Sequence, residues 1–237
     1  MTRRSFVFSL FLLCVATPSF SQVDDIYRRL ELGSQTLSDT KISSGLKEAL
    51  QVGTDNAVRL TGQRDGYFRN EAIKILMPKN LSLIEKGLRA VGYGPKMDAF
   101  VLSMNRAAEA AAPAARKIFV NAILSITFDD ARKILSGGNT AATDYFRART
   151  TDQLTAAFRP IVEKTMNQNS VTQQYTQLIG QAQAIPFVKT QNLDITNYVV
   201  AQALNGLFYV LGQQEQEIRK NPVARTTDLL KQVFGKQ

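Results

Sequence analysis

The chain has 237 residues and a formal charge of +9, with no histidine, no tryptophan and a single cysteine. Those absences exclude Ser-His-Asp and Cys-His machinery and any Cys/His metal site, and they remove the imidazole that most often moves protons near neutral pH. Carboxylate chemistry is the main hydrolytic route left.

Arg3 and Arg4 precede an apolar run from Phe6 to Ala16, followed by Pro18 and the small-residue pattern Ser19-Phe20-Ser21. This reads as a secretory signal cut after Ser21, its run too short to span a bilayer. Thr2 to Phe6 only faintly resembles a twin-arginine signal. Leu13 before Cys14 departs from the small residue that lipoprotein signals share, so ordinary export is expected. Cleavage removes the one cysteine and two arginines, lowering the charge from +9 to +7. The remaining excess is dispersed in pairs such as Arg28/Arg29, Arg116/Lys117 and Arg132/Lys133. Outside the cytoplasm a basic surface meets lipid headgroups or acidic envelope polymers rather than nucleic acid.

No linker or low-complexity tract divides residues 22–237, which read as one domain able to bury a substantial core. Helices are expected from Asp24 to Leu32 and from about Ser43 to Leu60, before the turn Asp65-Gly66. In YFRNEAIKILMP, Ile73, Ile75 and Met77 alternate as in a strand, whereas Ile73, Leu76 and Met77 fit a helix. One short extended segment near 72–77 therefore stays open, and Pro78 closes it either way. A helix from about Asn80 to Val91 leads to the turn Gly92-Tyr93-Gly94-Pro95.

The longest apolar period runs from Met97 to Ile126 and survives Pro113, which predicts one kinked helix of roughly 45 Å at about 1.5 Å per residue. Thr127 and Asp130 have capping-box spacing, and Gly137-Gly138 marks the stop. Further helices are read at about Thr140 to Arg147, Thr151 to Met166 and Val171 to Ala184. Ile195 to Leu211 carries no charge and reads as a central buried helix in which Gly206 admits a close neighbour. The continuation EQEIRK is expected to run out to solvent, and Asn221-Pro222 ends it. The fold class is all-α: a single compact multi-helix domain around the long kinked helix.

Two stretches use nearly the same words, ARTTDQLTAAF at Ala148 to Phe158 and ARTTDLLKQVF at Ala224 to Phe234. Each places Thr-Thr-Asp before an apolar i, i+4 pair, which reads as helix-start grammar in which Thr151 and Thr227 cap the first turn. The functional alternative is an anion site at the helix start, with Arg149 or Arg225 supplying a bidentate fork. Asp152 and Asp228 already occupy that positive end, so the arginines more readily clamp an internal carboxylate.

In MNRAAEAAAPAARK, Arg106 and Glu109 stand at i, i+3 beside an alanine-rich face. A half-buried pair that sets helix register is the plain reading; Glu109 as a buried acid or ligand contact is the sharper one. Asp65, Asp98, Asp129 and Asp130 are candidates for the second carboxylate that glycoside hydrolysis needs. DGYFRN sets Tyr67 and Phe68 beside Arg64 and Arg69, either as exposed aromatics that stack on a ligand or as a plug over a helix end. The uncharged face Gln173, Gln174, Gln177 and Gln181 is a weaker sugar-contact candidate. No glycine-rich phosphate loop, EF-hand or repeated module occurs.

The combination DGYFRN…IKILMP, MNRAAEAAAPAARKIF, FDDARKIL and IRKNPVARTTDLLKQVFG resembles the exported bacterial family known as domain of unknown function 4197. The resemblance spans nearly the whole mature chain and implies a Gram-negative envelope setting and one mostly helical domain, with no catalytic residues to carry over. The composition points first to a non-enzymatic binding or structural module of the cell envelope, without a cofactor or metal. Its expected partner is an anionic envelope component, a lipid or a protein, not nucleic acid, and the mature chain has no transmembrane segment. The alternatives are a carrier of an apolar or lipid-like ligand and a carboxylate-dependent hydrolase.

Overall fold

A computed structural model describes residues 21–168 and 194–221 together with positions 173, 177 and 180. The chain divides into two units, Met1–Thr40 and Lys41–Gln237, and the packing below belongs to the second. Its elements are α-helical, with no strand among the described residues. The first is α1 (Ser21–Gly62), of which the residues from Lys41 on belong to this unit; both stretches expected to be helical lie within its bounds. After a 3-10 turn at Lys79–Leu81 come α2 (Ser82–Leu88), a wide turn at Arg89–Tyr93 and α3 (Gly94–Ala111). A 3-10 turn at Ala112–Ala114 joins α3 to α4 (Ala115–Leu124). Then follow α5 (Phe128–Ser136), α6 (Ala141–Gln168) and α7 (Ile195–Lys220).

The long kinked helix is present as α3 and α4, which meet at Pro113 with helical backbone on both sides. A proline lacks the N–H of the regular ladder and crowds the preceding turn, so the local tightening falls there. Ala107, Ala108, Ala111, Ala112 and Ala115 are all fully buried, and this small-residue face lets α6 and α7 approach α3 closely. Phe119, Phe146 and Phe208 from α4, α6 and α7 meet edge to face at centroid distances of 5.4 Å and 6.2 Å. Thr127 and Asp130 form the expected capping box of α5, and Gly137 follows its last residue.

Three expectations are corrected. Residues 74–78 are neither helix nor strand, because Asn105 rather than a neighbouring strand takes up the backbone groups of Ile75. The helices read at 140–147 and 151–166 are one helix, α6, so ARTTD at 148–152 lies mid-helix and caps nothing. Thr150 and Thr151 instead donate their hydroxyls one turn back, to the carbonyls of Phe146 at 2.7 Å and Arg147 at 2.6 Å. Finally, EQEIRK does not run out to solvent: Glu215 and Arg219 are buried, with side chains 7% and 8% exposed. The helix expected at 171–184 and the second ARTTD copy lie outside the described residues, apart from positions 173, 177 and 180.

Gly206 meets the ring of Tyr67: a Cβ there would lie 2.6 Å from Tyr67 Cε1 and 3.1 Å from Ile73 Cβ. Gly206→Ala is therefore expected to destabilise the protein by about 1–3 kcal/mol, because the buried ring has no room to retreat. Thr151→Ala, which removes no cap, is expected to change stability by less than about 0.5 kcal/mol. Urea denaturation of the two variants side by side measures both.

Candidate functional site

The densest polar cluster forms where the chain leaves α1 and crosses α3. Asp65 adopts a left-handed backbone, φ 67°, and Gly66 follows so tightly that a Cβ would lie 2.3 Å from the Leu60 carbonyl. This reversal aims the N–H groups of Tyr67 and Phe68 at α3. Glu109, only 4% exposed, accepts both with Oε1 at 3.1 Å each. Its Oε2 accepts from Arg106 Nη1 at 2.6 Å, and Arg106 Nη2 donates to Asp65 Oδ1 at 2.6 Å.

Arg106 thus bridges two carboxylates, and Arg69 pairs with the second oxygen of Asp65 at 3.3 Å. The Arg106 hydrogen bond holds the Asp65 carboxyl below the usual carboxylate range, with Arg69 and Arg64 adding to the effect. Tyr67 is fully buried and donates its hydroxyl to the Ala203 carbonyl at 2.6 Å, and burial pushes its phenol pKa up. It is a plug, not a stacking platform. Phe68 lies under two cations, with Lys74 Nζ 4.7 Å and Arg106 Cζ 5.8 Å from its ring centre.

One turn earlier on α3, Asn105 is fully buried. Its Oδ1 accepts from the Ile75 N–H, and its Nδ2 donates to the Ile75 and Val101 carbonyls, all at 2.8 Å. Asn105 and Glu109, four residues apart, therefore hold two stretches of the same crossing segment.

A second cluster joins three helices. Glu215 on α7 accepts from the Ala142 and Thr143 N–H groups at 2.9 Å and 2.8 Å, and from the Thr143 hydroxyl at 2.8 Å. Arg219 bonds the same carboxylate and donates to the Ile134 carbonyl at 2.7 Å. The acid sits on the positive end of α6 and the base on the negative end of α5, the arrangement the helix dipoles favour.

The predicted site residues are distributed as follows. Arg106, Glu109, Tyr67 and Arg69 converge around the 63–70 turn, where Asp65 joins them. Arg149 is elsewhere: it lies 5.3 Å above the Tyr145 ring and 4.0 Å from Asp130. Thr151 is bonded within α6, and Arg225 and Thr227 lie outside the described residues. Asp98 pairs with Arg89 at 2.8 Å, and Asp130 is occupied by its capping box. Sequence reasoning missed Glu215 and Arg219, whose i, i+4 spacing was visible but is equally that of an exposed pair. Among the described residues no group of three or more acidic side chains gathers in a way that suits a metal ion.

A narrow apolar cleft with free space of about 20 Å3, room for roughly one water, lies between α1, α6 and α7. Leu46, Leu50, Phe146, Leu211 and Ile218 line it, with the Glu215 clamp at its edge.

Fold and site together define an all-α protein whose converging acids and bases are bonded into its own framework. The chain belongs to the family described as protein of unknown function (DUF4197), whose family model matches residues 36–235. No curated protein and no solved structure matches it.

Truncating Glu215 removes the carboxylate that neutralises Arg219 and the acceptor of two buried helix-end N–H groups. Glu215→Ala is expected to cost about 3 kcal/mol or more in chemical denaturation. For Asp65 the depressed folded pKa means its contribution is complete above the ordinary aspartate value, about 3.9, and is lost as pH falls through the folded value. Asp65→Asn is expected to lower stability at neutral pH and to flatten the acid limb of the stability–pH curve. A series of urea melts from neutral to acid pH tests the sign.

Proposed function

We propose that the protein is a non-enzymatic binding module of the bacterial cell envelope, exported by its N-terminal signal. The observation that carries this reading is the state of Glu109, the best-placed buried acid. One oxygen is held by two backbone N–H groups and the other by Arg106. Asp65, the acid that converges with it, is bonded to the same guanidinium. A general acid needs a proton to give and a nucleophile needs a clear path to its substrate, whereas Glu109 is buried and both carboxylates are bound to Arg106 as internal counter-ions. The basic excess of the chain and its secretory pattern favour a polyanionic envelope partner. No helix among the described residues is long and apolar enough to cross a membrane.

A second reading, a carrier of an apolar ligand, would need the apolar cleft beside Glu215 to open, since its free space of about 20 Å3 is far below that of ligand pockets, about 300 Å3 and more.

The following measurements test these readings. In a Gram-negative host the processed chain is expected in the envelope fraction and to co-sediment with purified envelope; retention of the uncut chain in the cytoplasm would sink the proposal. Turnover of a glycoside or ester that disappears in a folded Glu109→Gln variant would replace it with a hydrolase. Native mass spectrometry decides on the carrier: a co-purifying lipid mass lost in Leu50→Arg supports it, and a bare protein mass rejects it.

A further inference from the structure

We propose that the outward face of α2 and the turn after it is a docking surface for an anionic lipid bilayer. The inference rests on the envelope reading above and names the component that is bound.

The segment is built with two opposed apolar faces. Leu81, Ile84 and Leu88 are buried, at 1%, 2% and 1% exposure, and attach it to the core. A helix with one face so buried normally presents polar residues on the other. Here Leu83, Gly87 and Ala90 follow at i, i+4 and i+7 on the outward side, and Val91 adds to them. Leu83 is 75% exposed and Val91 65%. At Val91 the backbone leaves helical geometry, and Gly92 adopts φ 91° with nothing within 4 Å of where a Cβ would stand. The turn therefore projects into open space, with Val91 at its tip and Tyr93 behind it.

The charges around this face that the described contacts leave outside ion pairs have one sign. Lys79, Lys86 and Lys96 are exposed, and the described contacts place none of them in an ion pair. Lys96 lies over the Tyr93 ring, 5.2 Å from Nζ to the centroid, which sets an ammonium beside an aromatic of the kind found at bilayer interfaces. The two acids nearby, Glu85 and Asp98, are both paired with Arg89, at 2.9 Å and 2.8 Å. In the wheel of α2, Lys86 borders the apolar strip, whereas Glu85 and Arg89 lie farther round from it.

Leu124 and Phe128, also exposed, lack this character, because Asp129 and Asp130 follow them directly, and the exposed Leu76 and Tyr209 lie far apart in sequence on other segments. A short apolar strip bordered by unpaired lysines suits a headgroup region, where apolar side chains enter and cations stay with the phosphates. Two large apolar side chains, Leu83 and Val91, are too few for the apolar core of a stable protein interface. The lysines would also repel a second copy of the chain.

The chain contains no tryptophan, so Val91→Trp supplies a lone reporter at the tip. Gln153→Trp, exposed on α6, is the control. With processed chains, the Val91→Trp emission is expected to shift blue on phosphatidylcholine vesicles containing phosphatidylglycerol, and to stay unshifted on phosphatidylcholine alone. The Gln153→Trp emission is expected to stay constant throughout. Adding Lys86→Glu and Lys96→Glu to the reporter chain is expected to weaken its response roughly twentyfold or more, at about fivefold per lysine removed. Leu83→Asp is expected to weaken it as well.

An unshifted Val91→Trp, or an equal shift at Gln153→Trp, overturns the proposal. A shift that grows with protein concentration in the absence of vesicles also overturns it, by showing a contact between copies. If the chain carrying Leu83→Asp, Lys86→Glu and Lys96→Glu still co-sediments fully with envelope, the bilayer surface falls and the envelope module stands. If the chain is never exported, the envelope module falls whatever the vesicles show.

Discussion

Glu109 lies inside a bundle of helices and accepts hydrogen bonds from two backbone N–H groups that belong to no helix. Much of the architecture near it follows from that constraint. The 63–78 segment crosses buried ground without regular structure, and buried backbone groups without partners each cost on the order of 1–3 kcal/mol. Glu109 and Asn105, one turn apart on α3, supply partners at Tyr67, Phe68 and Ile75. Once the crossing is held there, Tyr67 is delivered to the notch at Gly206 and its hydroxyl to the Ala203 carbonyl, which ties α7 to the same point. Arg106 neutralises the acid and reaches Asp65, whose left-handed backbone starts the crossing.

The Glu215–Arg219 clamp solves a related problem by the same means. Where α5 ends and α6 begins, carbonyl and N–H groups without intrahelical partners face one another near the surface of α7. One acid and one base a turn apart on α7 meet the two opposite ends, each with the charge its helix dipole favours. In both clusters a titratable pair stands in for secondary structure. A convergence of charged side chains in this fold is therefore first a sign of an irregular backbone nearby, and the proposed docking surface lies instead on α2 and the turn after it, where the described contacts place no ion pair on Lys86 or Lys96.

Much of the fold was legible because it rests on local physics. The helical class, the kink at Pro113, the capping box of Thr127 with Asp130 and the close approach at Gly206 each follow from short-range spacing or from one residue's steric limits. The Arg106–Glu109 contact was readable as an i, i+3 pair. The repeated ARTTD misled for an equally local reason. Threonine and aspartate favour helix starts, but in α6 the buried stripe of Phe146, Thr150, Leu154 and Phe158 keeps the helix unbroken, and tertiary packing outweighs the capping preference.

By itself, then, the sequence determined an all-α domain with an organising helix and a hydrolytic chemistry left mainly to carboxylates, because periodicity, proline, glycine and missing residue types act without knowledge of distant contacts. Only the tertiary structure decided what those carboxylates do. Glu109 meets backbone 41 and 42 residues away, and Glu215 meets backbone 72 and 73 residues away. No local pattern encodes which helix end or turn a side chain will face, so whether an acid is a reactive group or an internal counter-ion is settled by packing.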